Sequence, residues 1–178
     1  MKKYIVQLVS ACALVVTLQS CEAQKVVVNR EVETTNDGKM LLGAQSKDQL
    51  LKEPYAKWYH ENYDAYQIDA ATLSELKKEN LGSYTITVFL GTWCEDSHNY
   101  VPKLMKILEE VKHPEQKLHI IAVNRKKESP NGEEGVYNIQ YVPTIILSKY
   151  GKEVGRFIEY SKTGLLEKDL LQLIKDKK

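Results

Sequence analysis

The stretch "FLGTWCEDSHNYVPKLMKIL", Phe89 to Leu108, decides the fold. Its first residues close the run "YTITVFLG", Tyr84 to Gly91, which is almost continuously apolar or β-branched, as a central strand covered on both faces should be. The rest predicts a helix from about Cys94 to Lys112, stopped by Pro114. Cys94 stands at the handover. Unsatisfied backbone N–H groups and the positive dipole end of a helix favour a thiolate there, while Glu95 and Asp96 in the same turn oppose a further anion. The expected balance is a modestly activated nucleophile.

Downstream, "KLHIIAVN", Lys117 to Asn124, reads as a second buried strand. A variable connection, "RKKESPNGEEGVYNIQY", leads to "VPTIILSKYGKEVGRFIEY", two strands joined at "KYGK" with Gly151 placed for the turn. The last segment puts Leu165, Leu166, Leu170, Leu171 and Ile174 at helical intervals, with lysines near its end that suit the helix dipole.

Upstream, Asp69 is placed to cap a helix through "AATLSELKKEN", with Leu73 and Leu76 on one face. Before it, "SKDQLLKEPYAKWYHENYDAY" predicts a short helix with Pro54 in its first turn. There Tyr55, Trp58 and Tyr59 recur at helical spacing, either to pack on the main domain or to form an aromatic stripe for a ligand. From Glu22 to about Ser46 the chain is polar, with a turn signal in "TNDGK", and reads as a tether carrying a weak hairpin. The resulting division is a leader at 1–21, the tether at 22–45, a helical N-terminal extension at 46–66 and an α/β domain at 67–178.

The leader, "MKKYIVQLVSACALVVTLQSCEAQK", has two early lysines and an apolar stretch too short to span a bilayer, which is the form of a secretory signal. Two cleavage readings stay open. "LQSC" resembles a bacterial lipobox, making Cys21 a lipidated membrane anchor, whereas Cys21-Glu22-Ala23 also serves as a small-residue site ahead of Gln24. Either way the expected location is exported, periplasmic or on the cell envelope. With Cys12 inside the signal and Cys21 carrying lipid, Cys94 is the only thiol of the folded body, so it is either chemically employed or buried as a small hydrophobe.

Composition excludes other classes. In 178 residues, Lys and Arg number 25 against 24 Asp and Glu, so no general field draws nucleic acid. The chain has no Gly-rich phosphate loop and no local signature of Cys-His hydrolysis. His98 lies at i+4 from Cys94, where it is either a solvated helix histidine or a source of charge or a weak metal contact. His60, His113 and His119 show no metal spacing, and no metal or cofactor is expected.

Beyond the single thiol, Trp93, Cys94 and Pro102 together with "VPT", Val142 to Thr144, resemble the thioredoxin superfamily. In that family a strand ends in Trp-Cys-x-x-Cys, a proline breaks the following helix slightly, and a cis-proline preceded by a β-branched residue faces the thiol. The exported branch with a "GTWCxDS" form is the most similar. The resemblance runs from about Asp69 to the C-terminus and implies a mixed sheet flanked by helices. It also implies a cis bond at Pro143 and backbone groups of Val142 offered to a partner strand beside the sulfur.

Two departures bear on mechanism. Ser97 stands where the family has its resolving cysteine, and Val88 stands where many thioredoxins bury an aspartate that serves the resolving step. A mixed disulfide on Cys94 then needs an external thiol for release. Ser97 is expected either to donate a hydrogen bond to the Cys94 sulfur or to be a plain surface serine. The resemblance therefore implies a monothiol exchanger acting on cysteine-containing proteins or small thiols and disulfides. The alternative is a binding module that kept the fold and lost turnover.

Overall fold

The computed structural model describes residues 28–176. The leader, including Cys21, lies outside the described residues. From residue 28 onward the structure corrects the tether reading. β1 (Arg30–Thr34) and β2 (Gly38–Gln45) form the hairpin that the turn signal announced, but β2 also pairs antiparallel with β4 (Leu118–Ala122), making the hairpin one flank of the main sheet. The reason lies in Met40 and Leu41, consecutive and both buried, one on each face of β2, so that this otherwise polar segment is covered on both sides.

β3 (Thr85–Leu90), β5 (Thr144–Lys149) and β6 (Lys152–Ile158) complete a sheet of order β1-β2-β4-β3-β5-β6. Of the named strands, β3 and β4 alone run parallel to each other, connected through α3 (Glu95–Glu110), so the sheet is mixed. The β5–β6 hairpin turns at Tyr150 and Gly151, both at positive φ, as a two-residue loop matched to strand twist requires.

Strand alternation sorts the core into two clusters. Ile86, Val88, Leu90, Ile120, Ile145 and Leu147 point to the face covered by α1 (Ala56–Ala65), α2 (Ala70–Lys78), α3 and α5 (Leu166–Lys175). Phe89, Ile121, Val123 and Ile146 point to the opposite face, where Ile139 and Val142 meet them from the connection that carries the single-turn α4 (Glu133–Val136). Val88, at the position expected to lack an acid, is fully buried among the first set.

The N-terminal helix packs as one of the two expected arrangements: Tyr55 and Tyr59 are buried and Trp58 is partly so. Pro54 differs from expectation. It lies in the turn ahead of α1, with Glu53–Pro54 cis, because the Tyr55 and Ala56 N–H groups both return to the Lys52 carbonyl before the helix begins. Asp69 caps α2 as expected, accepting from the Thr72 N–H at 2.8 Å. Just ahead of it, the Tyr66 hydroxyl and the Asp69 N–H both donate to the carboxylate of Glu167, which is fully buried at the start of α5. Burial, and then this carboxylate, push the Tyr66 hydroxyl well above its ordinary range. The extension and the C-terminal helix are thereby tied together by a satisfied polar contact in the apolar interior.

Candidate functional site

The site is built where β3 ends. Gly91 carries the chain out of the sheet, and a side chain there has no room: a Cβ would sit 2.5 Å from Cε2 of the Trp93 ring, which folds back over this backbone. The Trp93 Nε1–H donates to the Val123 carbonyl at 2.9 Å, so the indole is clamped to the end of β4 and packs on the Phe89, Ile121 and Val142 cluster.

Cys94 is the N-cap of α3, with extended backbone (φ −106°, ψ 121°). Its N–H donates to the Gly91 carbonyl at 2.9 Å and its carbonyl accepts the first helical bond, from His98, at 3.0 Å. The side chain makes no capping bond and is partly exposed. Its Sγ lies 3.3 Å from the Val142 carbonyl oxygen, the thiol donating, and the Val142–Pro143 peptide bond is cis. A sulfur on one side of the chain and the backbone before Pro143 thus meet across a separation of 48 residues. The Pro143 carbonyl accepts from the Glu159 N–H at 2.9 Å, which brings the end of β6 alongside. Glu159 itself sits at φ +58°, in the left-handed region.

Ser97 follows neither arrangement read from the sequence. It is fully buried, and its Oγ accepts from the Gly91 N–H at 3.2 Å instead of donating to sulfur. The first turn of α3 directs position 97 inward, where an orphan amide at the strand exit needs an acceptor. His98 is likewise no solvated helix residue. Its Nε2 is 2.8 Å from the Thr92 carbonyl, so that nitrogen carries the proton, and its ring stacks on Trp58 with centroids 4.3 Å apart and planes 13° apart.

Residues that the sequence reading passed over complete the surroundings. The Thr92 Oγ accepts from the Leu41 N–H of the hairpin at 3.3 Å. The Arg125 guanidinium lies 5.0 Å from the centre of the Trp93 ring, and its Nε is 2.9 Å from each carboxylate oxygen of Asp37, in the β1–β2 turn. That pairing holds the Asp37 carboxyl below its usual range and raises Arg125, to which the nearby Cys94 adds a smaller charge effect. Nothing local in "RKKES" separates Arg125 from its neighbours, so only long-range packing could have shown it. Among the described residues no three His, Cys, Asp or Glu side chains gather as metal ligands, and no helix is long and apolar enough to cross a membrane.

This layout, with a thiol capping the helix after a central strand and a cis-proline opposite, defines a protein of thioredoxin fold. The thioredoxin family profile matches residues 69–172, more than half of the chain, and the chain belongs to that family. Among solved structures it is similar to a Pseudomonas aeruginosa protein of unknown function, at 13% identity and a TM-score of 0.50 over 69% of this chain and 82% of that one. Fasciola hepatica thioredoxin shares 27% identity over 61% of this chain and 94% of its own, with a TM-score of 0.39. The oxidised form of mitochondrial thioredoxin 3 from Saccharomyces cerevisiae shares 21% over 65% and 98%, also at 0.39. No curated protein matches the sequence. The hairpin and α1 lie before the matched segment, yet both touch the site.

Proposed function

We propose that this protein is a monothiol member of the family, exchanging disulfides through Cys94 and depending on an external thiol for release. The observation that carries the reading is the partly exposed Cys94 Sγ set 3.3 Å from the carbonyl before Pro143, with a buried serine in place of a resolving thiol. In the exchange, the Cys94 thiolate attacks one sulfur of a client disulfide, the S–S bond breaks, and the other client sulfur leaves as thiolate. No electrons are gained or lost overall. The contact between thiol and Val142 carbonyl is given up when the sulfur loses its proton, leaving that carbonyl to accept from a client's backbone N–H as an added strand would require.

Incubation with a disulfide-bearing client, followed by non-reducing separation, should give an adduct that Cys94→Ser abolishes; its absence from the wild-type protein rejects the reading. Ser97→Cys should shorten the life of that adduct, since a second thiol one turn away can displace the client and close an internal disulfide with Cys94. The alternative, a peptide-binding module, predicts instead that Cys94→Ser keeps full partner binding with no covalent step. We include in the proposal an exported, lipid-anchored location through Cys21, which rests on the leader sequence alone. Release of the Cys21→Ser protein from the membrane fraction would support it, and unchanged retention would count against it.

A further inference from the structure

We infer that the Asp37–Arg125 pair, contributed in part by the N-terminal hairpin, sets which charge of disulfide or thiol Cys94 accepts. This rests on the exchange reading above and concerns the same sulfur. Arg125 is fixed in two directions: its guanidinium carbon lies 5.0 Å from the centre of the ring of Trp93, the residue next to the thiol in sequence, and its Nε is held by both oxygens of Asp37. The two partners differ in exposure. The Arg125 side chain is 60% exposed while that of Asp37 is 13% exposed, so the cation faces arriving molecules and the anion braces it from behind.

Such an arrangement acts on partners through charge. A full positive charge beside the thiol attracts a carboxylate-bearing disulfide and repels an amine-bearing one, and a carboxylate in contact with that cation cancels most of its reach in water. Other charged or titratable groups on the segments that carry Cys94, Arg125 and Pro143 stay constant when the pair is altered. They are Glu95, Asp96 and His98 on α3, Lys126, Lys127 and Glu128 after Arg125, and Glu159 beside Pro143. The direction of the effect follows from the pair alone. Removing Asp37 leaves Arg125 uncancelled and favours anionic partners; removing Arg125 leaves Asp37 uncancelled and favours cationic ones. Asp37 and Arg125 are separated by 88 residues, and Asp37 precedes the segment that matches the family, so the hairpin acts as a specificity element added to the common domain.

The test measures, on the full chain, the rates at which Cys94 reacts with three probes: cystamine, a cationic disulfide; 5,5′-dithiobis(2-nitrobenzoate), an anionic one; and iodoacetamide, which is neutral. Peptide mass spectrometry locates each adduct. The anionic-to-cationic rate ratio should rise roughly 3- to 10-fold in Asp37→Asn and fall by a similar factor in Arg125→Gln at low ionic strength, with both shifts shrinking in about 1 M salt. Asp37→Glu keeps the charge and should stay close to wild type. A purely structural pair would move all three rates together, iodoacetamide included, and leave the ratio unchanged; that result, or shifts of the same sign in both variants, overturns the inference while leaving the exchange reading intact. If iodoacetamide labels wild-type Cys94 but neither disulfide exchanges with it, the exchange reading fails as well.

Discussion

The two faces of the sheet do different work with the same strands. On one face, Ile86, Val88, Leu90, Ile145 and Leu147 disappear beneath four helices, and burial is close to complete. On the other, Phe89, Val123 and Ile146 are just as fully buried and Ile121 nearly so, but the cover is the connection from β4 to β5 rather than a layer of helices, and it is there that Trp93 and Cys94 pack. The larger cluster of buried side chains lies where helices cover the strands, and the Cys94 sulfur lies against the smaller one. A strand period of two lets one run of residues serve both purposes.

That division can be broken deliberately, beginning with the largest effect. Cys94→Ser should abolish client adducts altogether while leaving the thermal midpoint in place, because the thiol side chain bonds only to the Val142 carbonyl. A large drop in midpoint would show that the Cys94 side chain itself is needed for the stability of the smaller cluster. Leu104→Ala, on the helix-covered face, should cost about 2–5 kcal/mol in denaturant unfolding, since a fully buried side chain is replaced by a cavity. The iodoacetamide rate of Cys94 should not change in the protein that remains folded.

Gly91→Ala tests the junction of the two faces. Its new Cβ would meet the Trp93 ring at 2.5 Å, so the indole must move, at about 1–3 kcal/mol. Shifted Trp93 emission in a Trp58→Phe background, together with slower adduct formation, is the expected result. Asp69→Ala should cost about 1 kcal/mol through the lost cap of α2, with no effect on adduct rates.

The smallest effect is a pH dependence. Burial lowers His113 below its usual range, so the folded state resists protonation more than the unfolded chain. Its contribution to stability is therefore complete above the unfolded value of about 6.5 and declines as pH falls below that. In His113→Gln the fall in unfolding free energy between about pH 6.5 and 5 should be shallower than in wild type. An identical slope would remove His113 from the account.

Much of this is legible in the chain itself, and the legible part has a common cause. β3, α3, the β5–β6 hairpin and α5 follow from periodicity, capping residues and turn residues, all of which act over a few neighbours. The hairpin at residues 30–45 shows in its turn residues, but its membership of the sheet does not, because pairing with β4 depends on residues about 80 positions away. Ser97 and His98 fall on the expected helix yet in unexpected surroundings. Helical spacing says that both sit in the turn after Cys94; it does not say that Gly91 will present an amide to one and Trp58 a ring to the other.

By itself, the sequence determined that a single thiol caps the helix after the central strand, that a serine follows it one turn later, and that a Val-Pro pair lies ahead of β5. Those are properties of neighbouring residues and need no knowledge of where the chain returns. Only the tertiary structure decided that the sulfur meets the Val142 carbonyl, that Ser97 turns inward, and that Asp37 reaches Arg125 over the Trp93 ring. Side-chain hydrogen bonds and ion pairs between distant segments leave no mark on local periodicity, so they exist only once packing has brought their partners together.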